Sequence, residues 1–200
     1  MTWMQTHTGR QFWPLAPNPE DVCLDDIAHA LGLVCRFAGH CKRFYSVAEH
    51  SLYVAEQVLT MGVAWAGGDY RPGVADLIRQ ALLHDAAEAY LGDIIRPLKP
   101  TWQEYRVIEK NLLECIHEAL WVPANAEDQQ AIKHADNILL ATEARDLMLA
   151  PPAPWSALPS PRTQEIPIGG VDPLGFGDRW QLVFKDPALC LVARRATARW

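Results

Sequence analysis

Apolar residues recur at helical spacing along most of the first 150 residues, and glycine and proline separate the repeating stretches. Side chains three and four positions apart share one face of an α-helix, so this pattern predicts a series of amphipathic helices. The predicted helices span residues 25–31, 46–58, 74–90, 105–120 and 127–149. Ahead of them, residues 2–6 and 11–15 flank a turn at Gly9, which predicts a small β-hairpin within residues 1–20.

The start of the second helix has a recognisable local signal. Ser46 precedes the apolar repeat and Glu49 follows three residues later, which is the spacing of a capping box. In that motif the serine side chain accepts a backbone N–H of the first turn and the glutamate reaches back to the serine N–H. We therefore expect the helix to begin directly after Ser46.

Proline and glycine are concentrated after the fifth helix, in residues 151–176. A long irregular stretch of this kind often forms a lid or binding segment, and we predict a loop here. The apolar pattern of residues 177–200 is less regular, and we predict one further helix. Residues 1–200 are thus expected to form a single all-α domain with a minor β-hairpin, in which the eight tryptophans occupy core positions.

Composition narrows the functional classes. Half the residues are apolar and 21% are charged, which is ordinary for a globular chain, and no apolar run approaches the roughly 18 residues that span a bilayer. A net charge of −6 without a basic cluster argues against binding to nucleic-acid polymers. The five cysteines are odd in number and include no C-x-x-C pair, which favours a reducing compartment. We expect a cytoplasmic protein that does not bind membranes.

Three predicted helices place ionisable side chains where their apolar faces call for hydrophobic ones. Those side chains are His50, His84, Asp85 and Asp136. Each alone is more often structural, but burying unpaired carboxylates on separate helices costs several kcal/mol. A shared divalent cation removes that cost, because it neutralises carboxylates and accepts imidazole donors. Four such ligands leave positions open on a six-coordinate ion, as in catalytic sites.

The segment after His84 adds further ionisable groups. Glu88 lies one turn beyond His84 on the same predicted helical face, within reach of a water molecule near the cation. Asp93 follows a glycine at the predicted end of this helix and can aim a second carboxylate inward. Arg96 and Lys99 bring positive charge next to this acidic centre, which suits an anionic substrate.

The order His50, His84-Asp85 and Asp136 resembles the H…HD…D signature of the HD-domain metal-dependent phosphohydrolases. Four longer strings resemble the branch that contains the bacterial 5′-deoxynucleotidases and small phage relatives, some of which are deoxynucleoside triphosphate triphosphohydrolases. These strings are CRFAGH (35–40), FYSVAEHS (44–51), LLHDAAEAYLGDI (82–94) and ADNILLATEARDL (135–147). The resemblance covers about residues 1–150 and gives little guidance after residue 151.

The resemblance implies an HD-domain helical bundle that binds Mn²⁺, Co²⁺ or Mg²⁺. It assigns the metal to His50, His84, Asp85 and Asp136, and it assigns the positioning of water and substrate to Glu88 and Asp93. It also implies that Arg36 binds phosphate and Phe37 stacks on the base, although the family often has tryptophan at that second position. From the residues alone, a surface arginine beside a core aromatic is the favoured interpretation.

Several neighbouring residues are left with a looser interpretation. Lys99 is a further candidate for binding substrate phosphate. His40 either contacts residues that bind the substrate or holds the loop that contains it in place. It is grouped with the substrate-binding candidates. Glu143, Arg145 and Asp146 are interpreted as pairs on the helix surface or between helices.

The expected function is a 5′-deoxynucleotidase that releases phosphate from deoxynucleoside monophosphates in a bacterial or phage-infected cell. The alternative within the same class is a triphosphohydrolase acting on deoxynucleoside triphosphates, which needs a longer basic channel. An alternative of another class is a nucleotide sensor without turnover, against which the acids Glu88 and Asp93 argue. The expected partner is a deoxynucleotide, and a homo-oligomer is one alternative for the assembly.

Overall fold

A computed structural model describes residues 2–155, 158–168 and 172–190. Within these ranges the chain forms seven α-helices and two short antiparallel β-hairpins. The helices are α1 (Leu24–Leu33), α2 (Val47–Val58), α3 (Val74–Leu83), α4 (Glu88–Leu91), α5 (Gln103–Ala119), α6 (Ala126–Leu147) and α7 (Pro173–Lys185). The hairpins pair β1 (Met4–Gln5) with β2 (Gln11–Phe12) and β3 (Trp65–Ala66) with β4 (Asp69–Tyr70). The predicted mostly helical fold with an N-terminal hairpin is confirmed.

The N-terminal hairpin is fixed to the helical body at both faces. The backbone N–H and hydroxyl of Thr8 donate to the carboxylate of Asp26 on α1, at 2.6 and 3.0 Å. On the other face the fully buried ring of Phe12 stacks on Tyr90 of α4, with ring centroids 4.0 Å apart. The short hairpin therefore closes the end of the core between α1 and α4.

The last described helix packs closely against the first. A Cβ atom on Gly177 of α7 would lie 2.6 Å from the carbonyl oxygen of Ala28, and one on Gly32 of α1 would lie 2.8 Å from the carbonyl oxygen of Pro173. These glycines let the two backbones touch. The predicted final helix is confirmed but begins earlier, at Pro173. The part of the prediction that covers residues 191–200 lies outside the described residues.

The centre of the fold is α2, which packs against both α3 and α6. Its predicted N-cap is confirmed, because the Ser46 hydroxyl accepts the N–H of Glu49 at 3.0 Å. The return bond of a capping box is not formed. The Glu49 carboxylate instead accepts two hydrogen bonds from Arg43, at 2.7 and 2.8 Å, since a bidentate arginine pair outcompetes one backbone N–H.

The prediction of one helix over residues 74–90 is wrong. The α-helical pattern of α3 ends at Leu83, and the following residues form turns whose N–H groups bond to the carbonyl three residues earlier, as between Glu88 and Asp85 at 3.0 Å. In such 3₁₀-like geometry, side chains three apart point the same way. This turn therefore aligns Asp85 with Glu88, whereas a continuous helix aligns His84 with Glu88.

Two further expectations need correction or restriction. Among the described tryptophans only Trp180 is fully buried, and the others are partly or largely exposed, with Trp121 at 91%. The predicted loop after α6 is confirmed in its described parts up to residue 168, which contain no helix or strand. Its glycine pair at 169–170 lies outside the described residues. None of the described helices is both long and apolar enough to cross a membrane.

Candidate metal centre

The four predicted ligands come together where α2, α3 and α6 meet. His50 Nε2 lies 3.2 Å from His84 Nε2 and 3.4 Å from an oxygen of Asp136. An oxygen of Asp85 lies 3.1 Å from His84 Nε2 and 3.8 Å from His50 Nε2. The donor atoms of His50, His84 and Asp136 all lie within 4.8 Å of one another. Helices distant in sequence thus place two imidazoles and two carboxylates around one point.

The outer nitrogens of both histidines fix which inner nitrogen is free to bind. His84 Nδ1 lies 2.8 Å from the carbonyl oxygen of Ala81, and His50 Nδ1 lies 2.5 Å from a carboxylate oxygen of Glu143. Because these oxygens accept, Nδ1 carries the proton when either imidazole is neutral, and Nε2 then presents a lone pair. Two lone pairs that face each other at 3.2 Å, next to two carboxylates, fit a divalent cation.

The charges around this point also favour a cation. Burial raises the pKa of the Asp136 carboxyl, but the hydrogen bond and charge of His50 outweigh it and hold that pKa well below the usual range. The pKa of the Asp85 carboxyl is likewise well below its usual range. Burial raises this pKa, but the charge and hydrogen bond of His84 outweigh the effect of burial. Burial and the charge of Arg36 lower the pKa of His50. The carboxylates of Glu143 and Asp136 raise it by a larger amount, so the resulting pKa is about 9. The carboxylates that stabilise the extra proton on His50 also attract a divalent cation. The cation therefore competes with that proton for His50.

Glu143 is a functional residue that the sequence analysis missed. It is fully buried, and its carboxylate accepts hydrogen bonds from Tyr45 Oη at 2.9 Å and Arg36 Nη2 at 3.2 Å besides facing His50. Burial opposes its ionisation, but Arg36 and His50 lower the pKa of this carboxyl. The missed signal is spacing, because Glu143 follows Asp136 by two helical turns on the same face of α6. Its interpretation as a helix-surface residue is wrong, whereas the alternative of a pair between helices is confirmed, because the carboxylate on α6 contacts His50 on α2.

Arg36 and Phe37 lie on a short turn, Arg36–Gly39, between α1 and α2. Phe37 and Ala38 both have left-handed backbone angles, with φ of 57° and 50°, which non-glycine residues rarely adopt. Arg36 is only 8% exposed, so it is not a surface residue. It lies 3.4 Å from Asp85 and 5.4 Å from the centroid of the Phe37 ring. The strained turn thus brings both side chains to the site.

Glu88 is buried with one of its oxygens unpartnered. Its Oε1 accepts from Lys99 Nζ at 3.0 Å, while Oε2 has no hydrogen-bond partner among the described residues. Burial, assisted by Asp85 and Asp93, raises the pKa of Glu88 well above its usual value. Lys99 also donates to Glu109 at 2.9 Å. The ammonium predicted to meet substrate is therefore already paired with two carboxylates.

A cavity of about 470 Å³ opens beside the metal centre. Among the described residues, its charged lining comprises four cationic and four acidic side chains: Arg36, Arg96, Lys99, Lys133, Asp85, Glu88, Asp93 and Asp136. The rest of the lining is apolar: Phe37, Ile94, Ile95, Pro97, Leu140, Trp155 and Leu158. This volume and this mixture of charged and apolar lining are those of a small-molecule site.

His40 does not line this cavity in the described part of the chain. It is exposed and borders two other clefts, next to Met148 and Leu149. A second, smaller cavity of about 230 Å³ lies between α3, α5 and α6 and is lined in part by His84, Asp85 and Asp136. The candidate metal ligands His84, Asp85 and Asp136 therefore line a second cavity as well.

Comparison with known proteins agrees with this geometry. The family model of the HD domain matches residues 36–135, a segment that contains Arg36, His50 and His84-Asp85 and ends one residue before Asp136. The chain is 35% identical over 158 residues to the uncharacterized protein YfdR of Escherichia coli (strain K12), with 79% of each chain covered. It is 36% identical over 151 residues to an uncharacterized protein of Rhodobacter capsulatus, with 72% of each chain covered. The chain belongs to the HD-domain family of divalent-metal-dependent phosphohydrolases.

Proposed function

We propose that the protein hydrolyses deoxynucleoside 5′-monophosphates to deoxynucleoside and phosphate. The observation that supports this most is the composition of the main cavity. Metal-binding carboxylates, cationic side chains and Glu88 line it together with apolar side chains such as Phe37. A nucleotide likewise has a charged part and a largely apolar part, because its phosphate is anionic and its base is a flat, largely apolar ring.

The charge balance favours one phosphate group. In the described lining of the cavity, cationic and acidic side chains are equal in number. A divalent cation adds two positive charges, and a phosphate monoester carries about −1.5 to −2 at pH 7. The loaded cavity therefore neutralises a monophosphate, and a triphosphate would leave excess negative charge.

Each residue has a defined task in this proposal. His50, His84, Asp85 and Asp136 hold the cation, which supplies Lewis acidity toward a phosphoryl oxygen and promotes ionisation of water. Lys99 engages one oxygen of Glu88, so the unpartnered Oε2 is left to accept a proton from the attacking water.

Arg36 and Asp93 would act on the substrate itself. Arg36 Nε is buried and has no hydrogen-bond partner among the described residues, which leaves a donor for a phosphate oxygen. Guanidinium is suited to this contact because its planar N–H groups bind phosphate in a forked geometry. Asp93 lines the same cavity and would position the sugar or the water.

A triphosphohydrolase of the same mechanism is the second candidate. The smaller cavity on the metal-binding side chains offers space for a longer phosphate chain, and Lys133 and His117 are among its lining residues. Lys133 is the one lysine or arginine in the described lining of that cavity, which is little charge for a polyphosphate. Monophosphates are therefore the favoured substrates.

Product identification separates the two candidates. The purified protein is incubated with each deoxynucleoside mono- and triphosphate in Mn²⁺, Co²⁺ or Mg²⁺, and products are resolved by ion-exchange chromatography. We expect deoxynucleoside and phosphate from monophosphates, loss of activity with a chelator, and loss of activity in Asp85→Asn. The control Asp76→Asn alters a partly exposed carboxylate on α3 and should retain activity. Triphosphate released from triphosphates alone supports the second candidate, and no hydrolysis with any metal contradicts both.

A further inference from the structure

The apolar part of the main cavity extends away from the metal centre along α6. Leu140 follows Asp136 by one helical turn, an advance of about 6 Å. Trp155 and Leu158 also border a neighbouring cavity of about 560 Å³, whose lining includes Ala144 and Met148, still further along α6. The two side chains therefore form the wall of the main cavity on the side away from Asp136.

Trp155 presents an unusual amount of aromatic surface in this wall. Its side chain is 42% exposed although it lines a cavity, and the Phe37 ring lines the same cavity. No acidic side chain is found in the described lining of the neighbouring cavity. A flat aromatic ring joined to a phosphate at the metal centre would cover the exposed surface of Trp155 without burying a carboxylate.

The chain around Trp155 is constrained on both sides. Three prolines, Pro151, Pro152 and Pro154, precede it and limit the backbone. Further along, the loop is tied to α6, because the Arg162 N–H donates to the Thr142 hydroxyl at 3.0 Å and Arg145 donates to the Arg162 carbonyl at 2.7 Å. The Ile166 N–H also donates to Asp146 at 2.8 Å. These restraints on the described parts of the loop lower the entropic cost of ordering it on binding.

We propose that Trp155 forms a nucleobase subsite, in which its indole stacks on the base of a deoxynucleotide whose phosphate lies at the metal centre. The inference rests on the proposed function and adds a residue that determines base affinity. Stacking of a base on an aromatic side chain accounts for affinity changes of roughly 5- to 150-fold. Because every base has a π-face, the subsite raises affinity for all bases and favours the larger purines.

Two substrates that share the phosphate but differ in the base test the proposal. Trp155→Ala is expected to raise KM for deoxyadenosine monophosphate by roughly 5- to 150-fold while leaving KM for 2-deoxyribose 5-phosphate unchanged. Trp155→Phe keeps an aromatic face and should recover most of the affinity. Trp121→Ala removes a largely exposed tryptophan that does not line the cavity and should behave like the parent protein. Equal KM changes for both substrates, or none for either, would overturn the proposal.

A direct binding measurement separates this inference from the proposed function. Equilibrium dialysis of radiolabelled deoxyadenosine, which has no phosphate, measures base binding without turnover. Weaker binding to Trp155→Ala than to the parent and to Trp121→Ala supports the subsite even if no monophosphate is hydrolysed. Equal binding to all three proteins, or no binding to the parent, overturns the subsite even if hydrolysis is observed.

Discussion

Replacing Glu143 with glutamine tests whether a buried carboxylate behind the metal centre controls it. The substitution keeps the volume of the side chain and one oxygen that can accept from His50 Nδ1, but it removes the negative charge. Arg36 then loses the buried counter-ion that lies 3.2 Å from its Nη2 and keeps only the longer contact to Asp85 at 3.4 Å. The change therefore acts on metal binding through His50 and on stability through Arg36.

The two effects have different expected sizes. Changing the outer hydrogen-bond partner of a metal-binding histidine lowers metal affinity by roughly 10- to 100-fold. In Glu143→Gln the contact to His50 Nδ1 is kept, but the negative charge that makes the imidazole a stronger ligand is lost. Removing one member of a buried ion pair costs about 3–5 kcal/mol, and the remaining contact to Asp85 places Glu143→Gln near 3 kcal/mol. For a domain of this size that corresponds to a fall in Tm of roughly 6–12 °C.

Both effects are measured on purified protein. Competition with a chromophoric chelator gives the affinity for Mn²⁺ or Co²⁺, and urea unfolding of the metal-free protein gives the stability. Glu127→Gln is the matched control, because it changes an exposed glutamate in the first turn of the same helix. Unchanged metal affinity in a folded Glu143→Gln protein would refute the assignment and leave Glu143 with a structural role alone.

The remaining predictions concern catalysis, a helix end and a helix crossing. Glu88→Gln should lower kcat by roughly 10²–10⁴-fold with metal content and KM retained, and unchanged turnover would exclude it as the proton acceptor. Ser46→Ala removes the hydrogen bond at the start of α2 and should lower the free energy of unfolding by about 1 kcal/mol, as measured by urea titration. Gly177→Ala places a methyl group 2.6 Å from the carbonyl oxygen of Ala28 and should cost about 1–3 kcal/mol in thermal unfolding. Gly62→Ala, where the added atom meets nothing within 4 Å, should cost less, and equal losses would contradict the close α1–α7 contact.

The long helices could be predicted because their apolar faces repeat over several turns. The predicted 105–120 and 127–149 correspond to Gln103–Ala119 and Ala126–Leu147. The hairpin of β3 and β4 was missed because its short strands lie in a segment whose glycines indicate only a break between two predicted helices. The change of geometry after Leu83 has no glycine or proline to signal it. The extent of the domain over residues 1–200 stays a prediction.

The convergence of the four candidate metal ligands could be predicted because each interrupts an apolar helical face with an ionisable group. Glu143 does the same on α6, but Arg145 on the same helix is exposed, and the sequence does not distinguish the two. Its burial depends on Tyr45 and Arg36, about 100 positions away in the chain. Such long-range pairs follow from the tertiary fold and not from local pattern. The roles of Asp93 and Lys99 toward substrate stay predictions.

Anomalous X-ray diffraction at the cobalt edge, from crystals of the protein grown with Co²⁺, tests the metal centre most directly. One strong peak is expected in contact with His50 Nε2, His84 Nε2 and the carboxylates of Asp85 and Asp136, at about 2.0–2.2 Å. The peak should vanish in crystals of Asp136→Ala and persist in those of Glu88→Gln. A cobalt-loaded protein whose peak lies elsewhere, or which has no peak between the two histidines, would show that these four residues do not form the metal centre.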